Sequence, residues 1–326
     1  MDEAAAREKL LGLADDRPGA ALGVAVRLGL FTALAEGRGT AAGLAREVGA
    51  DEEALEVLAN ALVAIGLLEK DASRYANGEL AAARLVAGAA YLGDLVISGR
   101  SRGAEARLLR AVRGGARPAR DVAEALPRAL SRALYRDAQV LGPRLAQSLD
   151  LARRRHLLDV GGGLGGYAAA FCDACPELHA TVLDLPGVVR EGRRLAAKSG
   201  AAPRVGFVEG DFLRDPLPRG SDVVLASDIL HGQRPSDAAR LVRLLRDALE
   251  PGGLLVLRDV LMDTERTGPR WAALFSLTLL ATSGSRCYAE DEVRGWLTEA
   301  GFVDVREAAV DSERWDPNRV LVATRA

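Results

Sequence analysis

Cysteine is scarce in this sequence. Three residues in a chain of 326 cannot build a disulfide framework, so a reducing, cytoplasmic setting is expected. Neither sign of charge is in real excess. With 43 lysines and arginines against 45 aspartates and glutamates, the formal net charge of -2 gives no global attraction to nucleic acid or anionic membranes. Long apolar runs are missing as well: none approaches the roughly 20 residues that cross a bilayer. The opening residues MDEAAAREKL lack the basic-then-apolar order of a signal peptide. These gaps leave a soluble, cytosolic protein as the expectation. What is present agrees with that reading. Hydrophobic residues make up 49% and charged residues 27%, the balance of a folded globular chain and not of a disordered one. The length predicts two domains, each able to bury a core of its own.

Up to about residue 150 the pattern is helical and rich in Ala, Leu, Arg and Glu. One helix is expected to carry Ala21, Val24, Leu28 and Phe31 on a single face. Thr40 is a candidate N-cap for a short helix through Leu44 and Val48. A third helix starts at Asp51, with acids in its first turn, and runs to about Leu67. Leu68 to Leu80 then reads as a hairpin with Asn77-Gly78 as its turn. Three helices and a hairpin make a winged-helix outline, which invites a DNA-binding regulator as a competing function. The presumed recognition helix, DEEALEVLANALVAIGL, has no Arg or Lys to meet phosphates or base edges, so subunit packing is the better reading. Seven arginines between Arg100 and Arg120 read as a solvated helix face and loop joining two domains.

From Arg155 the texture changes to short apolar, β-rich runs alternating with helical stretches. The expected strands are His156–Val160, Ala180–Leu183, Val205–Val208, Val223–Ala226, Leu254–Arg258, Val303–Ala308 and Val320–Thr324. Such alternation predicts a mostly parallel sheet covered by helices on both faces, an α/β, Rossmann-like architecture. The last two runs have no helix between them, so the final strand is expected to be antiparallel. The domain boundaries that follow are 1–98 for the winged-helix-like part, 99–150 for a helical linker and 151–326 for the α/β domain.

Leu157 to Gly166, LLDVGGGLGG, is an apolar strand running into a glycine-rich turn and then a helix. Gly161, Gly163 and Gly166 satisfy G-x-G-x-x-G, and Asp184 ends the next strand; a dinucleotide-binding dehydrogenase shows the same two features. Three further features favour a nucleoside without phosphates. Asp159 stands two residues before the first glycine, where a carboxylate repels pyrophosphate but not a cationic sulfonium with an ammonium group. Asp211, in Gly210-Asp211-Phe212, can accept a hydrogen bond from an adenine amino group while Phe212 flanks the ring. Pro251-Gly252-Gly253 turns the chain into the fifth strand.

The segments LLDVGGGLGG, VLDLPGVV, GDF, SDILH, LEPGG and EAGF occur in the order found in small-molecule O-methyltransferases with an N-terminal dimerisation domain. The chain resembles that family over nearly its full length. The resemblance implies S-adenosylmethionine as cofactor, S-adenosylhomocysteine as product, a homodimer, and a small aromatic or polyketide-like acceptor methylated on a hydroxyl. It implies that Gly161 and its neighbours Gly162 and Gly163 approach the methionine part and that Asp184 holds the ribose. Asp211 and Phe212 would hold adenine, and Ser227 would line the same site, to which Asp159, Leu185 and Gly210 also belong.

His231 follows the fourth strand at the carboxyl edge, where such sheets place ligands, and matches the position of the family's catalytic base. Asp259 ends the fifth strand, where the family has a carboxylate that orients that histidine. His156 and His179 are read as structural. The chain departs from the family in two places. Gly232-Gln233 stands for Asp-Trp, and Cys287 stands where the family has a second acid. These departures keep open carbon or nitrogen transfer, or a catalyst that uses the cofactor without methylating. Trp271, Phe275, Thr278 and Leu279 fall at helical spacing in a region that helps form the family's acceptor pocket. Cys172 and Cys175 have redox-motif spacing but end a helix instead of opening one, and no second ligand pair accompanies them, so neither redox work nor metal is expected.

Overall fold

The computed structural model describes residues 12, 15–35, 37, 39–98, 102–114, 128–197, 202–310 and 318–326. Residues 1–11 lie outside that set, as do Arg100, Arg117 and Arg120 of the arginine-rich stretch. The chain forms two compact units, Met1–Ala119 with Leu261–Glu290, and Arg120–Val260 with Asp291–Ala326.

In the first unit the expected helix starts are borne out. Thr40 Oγ1 accepts the Gly43 N–H ahead of Ala41–Val48, and Asp51 Oδ1 accepts the Ala54 N–H at 2.9 Å ahead of Glu52–Ala64. The helix bearing Ala21 is broken: Arg17–Leu28 stops at Gly29 (φ 70°), and Leu30–Ala33 follows as a separate short helix. Ala21, Val24, Leu28 and Phe31 are nevertheless all buried. Glu52–Ala64 is a core helix, with Leu55, Leu58 and Leu62 fully buried and Asn60 accepting the Tyr75 hydroxyl at 2.7 Å. A helix packed in this way does not offer that face to a DNA groove.

The hairpin exists, but its turn is not the one expected. Leu68–Asp71 pairs with Arg74–Asn77 in antiparallel register, so Ala72-Ser73 makes the turn, with Ala72 at φ 50°. Asn77 ends the second strand, and Gly78 is an extended N-cap for the helix Glu79–Arg84. Strand register has outweighed the turn preference of Asn-Gly. Gly39–Thr40 adds a third short strand. The later helix Arg270–Thr282 belongs to this unit by packing, since Leu274, Leu277 and Leu280 join its hydrophobic core.

The second unit is built on a seven-stranded sheet, numbered here in chain order. Its strands are β1 His156–Val160, β2 His179–Asp184, β3 Val205–Glu209, β4 Ser221–Ser227, β5 Leu249–Asp259, β6 Phe302–Glu307 and β7 Arg319–Arg325. The spatial order is β6-β7-β5-β4-β1-β2-β3. Strands β1 to β5 pair in parallel, and β7 lies antiparallel between β5 and β6. The antiparallel final strand is as expected. Central strands covered on both faces read as continuous apolar runs, and Val223 to Ala226 and Leu255 to Leu257 are fully buried. Among the described residues no helix is long and apolar enough to cross a membrane.

Candidate active site

The parallel strands deliver their carboxyl ends to one edge of the sheet. β1 is flanked by β2 on one side and β4 on the other, so sheet building reverses direction there, the place where such sheets bind ligands beyond the strand ends. The glycine turn follows β1 directly. Gly161 (φ 65°) and Gly163 (φ 60°) take left-handed conformations that an L side chain resists. A Cβ on Gly161 would also meet Ile229 Cγ2 at 2.7 Å and the Phe212 ring at 3.4 Å, so the two flanking loops close directly on bare backbone.

Backbone bonds tie this turn to the next two strand ends. The Gly161 N–H donates to Leu183 O at 2.8 Å, and the Gly163 N–H donates to Asp184 Oδ2 at 2.8 Å. Asp184 Oδ1 accepts the Leu185 N–H at 2.7 Å, and the Asp184 carbonyl accepts the Gly210 N–H at 3.0 Å. Gly210, Asp211 and Phe212 are thereby held against the turn. Asp211 Oδ1 accepts the Leu213 N–H, and its other oxygen pairs with Arg214 at 3.3 Å.

Two carboxylates dominate the electrostatics of the turn. Asp159 is 1% exposed, lies directly under Gly162, and makes no hydrogen bond of ordinary geometry through either oxygen. Burial, then the neighbouring Asp184 charge, pushes its carboxyl up to about 7, against a small opposing effect of the Ala168 amide. Asp184 is also raised by burial, opposed by the Leu185 and Gly163 amides. A buried carboxylate without a partner is costly unless a cation reaches it. These residues therefore fit a positively charged adenosyl compound and would repel a pyrophosphate.

The third part of the edge lies between β4 and β5. His231 Nδ1 sits 2.5 Å from Asp259 Oδ1, while Asp259 Oδ2 accepts the Leu230 and His231 backbone N–H groups at 2.9 and 3.3 Å. His231 is 13% and Asp259 2% exposed by side chain. Burial alone would lower the imidazole's pKa, but the Asp259 charge and hydrogen bond, with help from Asp228, leave it raised. With Nδ1 donating to the carboxylate, Nε2 carries the lone pair.

All of the expected cofactor and base residues thus lie along one strand edge. Trp271, Phe275, Thr278 and Leu279 lie on the Arg270–Thr282 helix of the other unit, where the Trp271 and Phe275 rings stack at 4.8 Å and Thr278 is exposed while Leu279 is buried. Cys287, also in that unit, is buried and donates its backbone N–H to Ser276 Oγ at 3.1 Å. The Cys172 thiol is buried and pushed up to about 11, the opposite of an activated thiol. Sequence reading missed Asp228, Ile229 and Arg258. The available signal was a charge, Arg258, directly after the apolar run Leu254 to Leu257.

Two protein-family models match the chain: an O-methyltransferase domain over residues 90–303 and an O-methyltransferase dimerisation domain over residues 18–87. The chain is 36% identical over 297 residues to 3-hydroxy-5-methyl-1-naphthoate 3-O-methyltransferase of Streptomyces sahachiroi, covering 87% of this chain and 86% of that one. It is 34% identical to aclacinomycin 10-hydroxylase RdmB of Streptomyces purpurascens, covering 92% and 84%. A solved O-methyltransferase family 2 protein from Planctomyces limnophilus, in complex with apigenin, superposes with a TM-score of 0.83 at 28% identity, covering 95% and 93%.

Proposed function

The chain belongs to the O-methyltransferase family that carries an N-terminal dimerisation domain, and from that premise we propose that it methylates a phenolic hydroxyl of a small aromatic or polyketide metabolite, with His231 as general base. It is an S-adenosylmethionine-dependent O-methyltransferase. When bound, the cofactor supplies a methyl carbon already activated by its sulfonium, so the protein's part is to align the acceptor, exclude water and take up a proton. In this proposal Asp159 faces the cofactor's positive charge, and Gly161, Gly162 and Gly163 let it approach the main chain. Asp184 and Leu185 hold the ribose end. Gly210, Asp211 and Phe212 hold the adenine, and Ser227 lines the same site. His231 Nε2 takes the acceptor's hydroxyl proton, and Asp259 fixes the tautomer and stabilises the imidazolium that results. The single observation that carries the base assignment is the His231–Asp259 contact at 2.5 Å. Ile229, two residues before the histidine, packs on the glycine turn.

The acceptor class rests on the compounds named for the relatives, a hydroxynaphthoate in one and bound apigenin in the other. The stacked pair Trp271 and Phe275, with Thr278 and Leu279 on the same helix, are the residues this proposal assigns to the acceptor's ring. The test is transfer of a labelled methyl group from S-adenosylmethionine to a panel of hydroxynaphthoates, flavones and amines. Label in an O-methyl ether, with matching S-adenosylhomocysteine, is the expected result. Label on nitrogen overturns the hydroxyl assignment. Tight cofactor binding without S-adenosylhomocysteine from any acceptor instead favours a non-methylating catalyst, the reading that the hydroxylase relative supports.

The same proposal includes a homodimer formed through the N-terminal unit, supported by the dimerisation-domain match over residues 18–87. Light scattering of the full chain at micromolar concentration is expected to give twice the monomer mass; a monomer's mass removes the dimer from the account.

A further inference from the structure

The turn that carries His231 is held by more than Asp259. Leaving β4, it runs Ser227-Asp228-Ile229-Leu230-His231, and Asp228 adopts a left-handed conformation at φ 60°, uncommon for a residue other than glycine. Its N–H donates to Arg258 O at 2.9 Å. Its Oδ2 accepts the Arg258 guanidinium at 2.5 Å and the Ser227 hydroxyl at 2.9 Å, while Oδ1 accepts the Asn318 amide. Arg258 itself is 7% exposed, follows the apolar stretch Leu254–Leu257 of β5, and lies over the Tyr167 ring at 5.6 Å from its centroid. With Arg258 buried and Asp228 29% exposed by side chain, a pair of this kind seldom adds net stability over an apolar pair of the same size, which points to another use.

We propose that the Arg258–Asp228 pair is a positioning device for His231: it locks the strained turn onto the end of β5 and sets two opposed charges, one on the histidine's own turn and one next to Asp259. The proposal rests on His231 being the base. Among the described residues, three charged groups act on the ring: Asp259 from the end of β5, Asp228 from the histidine's own turn, and Arg258 beside Asp259. Past Arg258 opens a cavity of about 390 Å³, where Glu307 and Arg319 bind each other through two bonds of 2.8 and 2.7 Å and so add little net charge. Asp228 favours the charged imidazole and Arg258 opposes it, so losing either partner moves the histidine in a direction set by the partner that remains.

The chain holds only three histidines, which makes direct titration practical. Histidine-labelled full-length protein is followed by NMR against pH, with the His231 signal assigned by its loss in H231Q. Asp228→Asn keeps a residue type that tolerates the left-handed region and removes only charge. It is expected to lower the His231 midpoint by about half to one pH unit. Arg258→Gln is expected to raise it by a similar amount, Arg258→Lys to restore it, and the double variant to return close to the parent. If Arg258→Gln does not fold, the sign of the Asp228→Asn shift and the rescue by Lys still decide. Midpoints that stay put, or that move the same way in both single variants, overturn the proposal. The titration needs no acceptor. An active His231→Ala enzyme would therefore remove the base assignment while leaving the measured charge balance intact, and the two failures are distinguishable.

Discussion

Replacing His231 with alanine lowers the turnover of methyl transfer by about a hundredfold or more, the ordinary scale for losing a positioned general base. Affinity for S-adenosylmethionine is expected to change by less than about threefold, because the residues proposed to hold the cofactor lie on the glycine turn and the ends of β2, β3 and β4, and do not include the imidazole. The pH dependence carries the same assignment. The Asp259 carboxylate, 2.5 Å away, and Asp228 leave the imidazole's pKa raised above its ordinary 6.5 despite burial. A base must be neutral to accept a proton, so turnover in the parent enzyme rises with pH through a limb above that ordinary value and flattens once the ring is deprotonated. His231→Ala abolishes the limb along with most of the rate. Turnover within a few-fold of the parent, with the limb intact, would falsify the assignment of the base.

Asp159→Asn is expected to weaken S-adenosylmethionine binding at least tenfold while making the ligand-free protein more resistant to unfolding. Both effects follow from one carboxylate, 1% exposed, with neither oxygen in an ordinary hydrogen bond. Its pKa rises on folding from an ordinary 3.8 to about 7, so between those values the folded chain binds a proton that the unfolded chain has lost. The sign is therefore fixed: Asp159's contribution to stability falls as pH rises through that window and reaches its full penalty above about 7. The penalty is on the order of 4 kcal/mol by linkage. An amide of the same shape has no such titration, so the melting temperature of the variant exceeds that of the parent most clearly at pH 8. A cation bound beside the carboxylate reverses the balance, and affinity for the sulfonium cofactor in the parent increases with pH as Asp159 ionises. Calorimetric titration and thermal melts at pH 5.5 and 8 read both effects. Equal affinity in the two proteins, with no pH dependence, would separate Asp159 from the cofactor altogether.

Much of this was legible in the chain because the signals were local. The central strands of the large sheet announce themselves as short apolar runs, and the carboxyl ends that matter coincide with a glycine cluster or a lone charge. Asp159, Asp184, Asp211 and Asp259 could be placed at strand ends by counting alone. The misread hairpin shows where local reasoning fails. Asn77-Gly78 has the better turn chemistry, yet pairing Leu68 with Asn77 sets a register that forces the turn back to Ala72-Ser73. Gly29 likewise divides a helix whose apolar face continues on either side. Non-local partnerships were out of reach. Nothing in the order of residues couples Asp228 to Arg258 or isolates both Asp159 oxygens, because those facts depend on what β5 and the turn bring from elsewhere.

The grouping of Leu261–Glu290 with the N-terminal unit bears on how this protein could be recombined with its relatives. Leu274, Leu277 and Leu280 seat a helix from late in the chain in a core otherwise made by residues before 115. Each such leucine is worth about 1.5–3 kcal/mol when buried. A hybrid spliced at a single point between the two family matches would pair those leucines with a foreign surface. Parent and donor can exchange this part cleanly only as two fragments taken together, so the aromatic helix and the N-terminal helices travel as one heritable block.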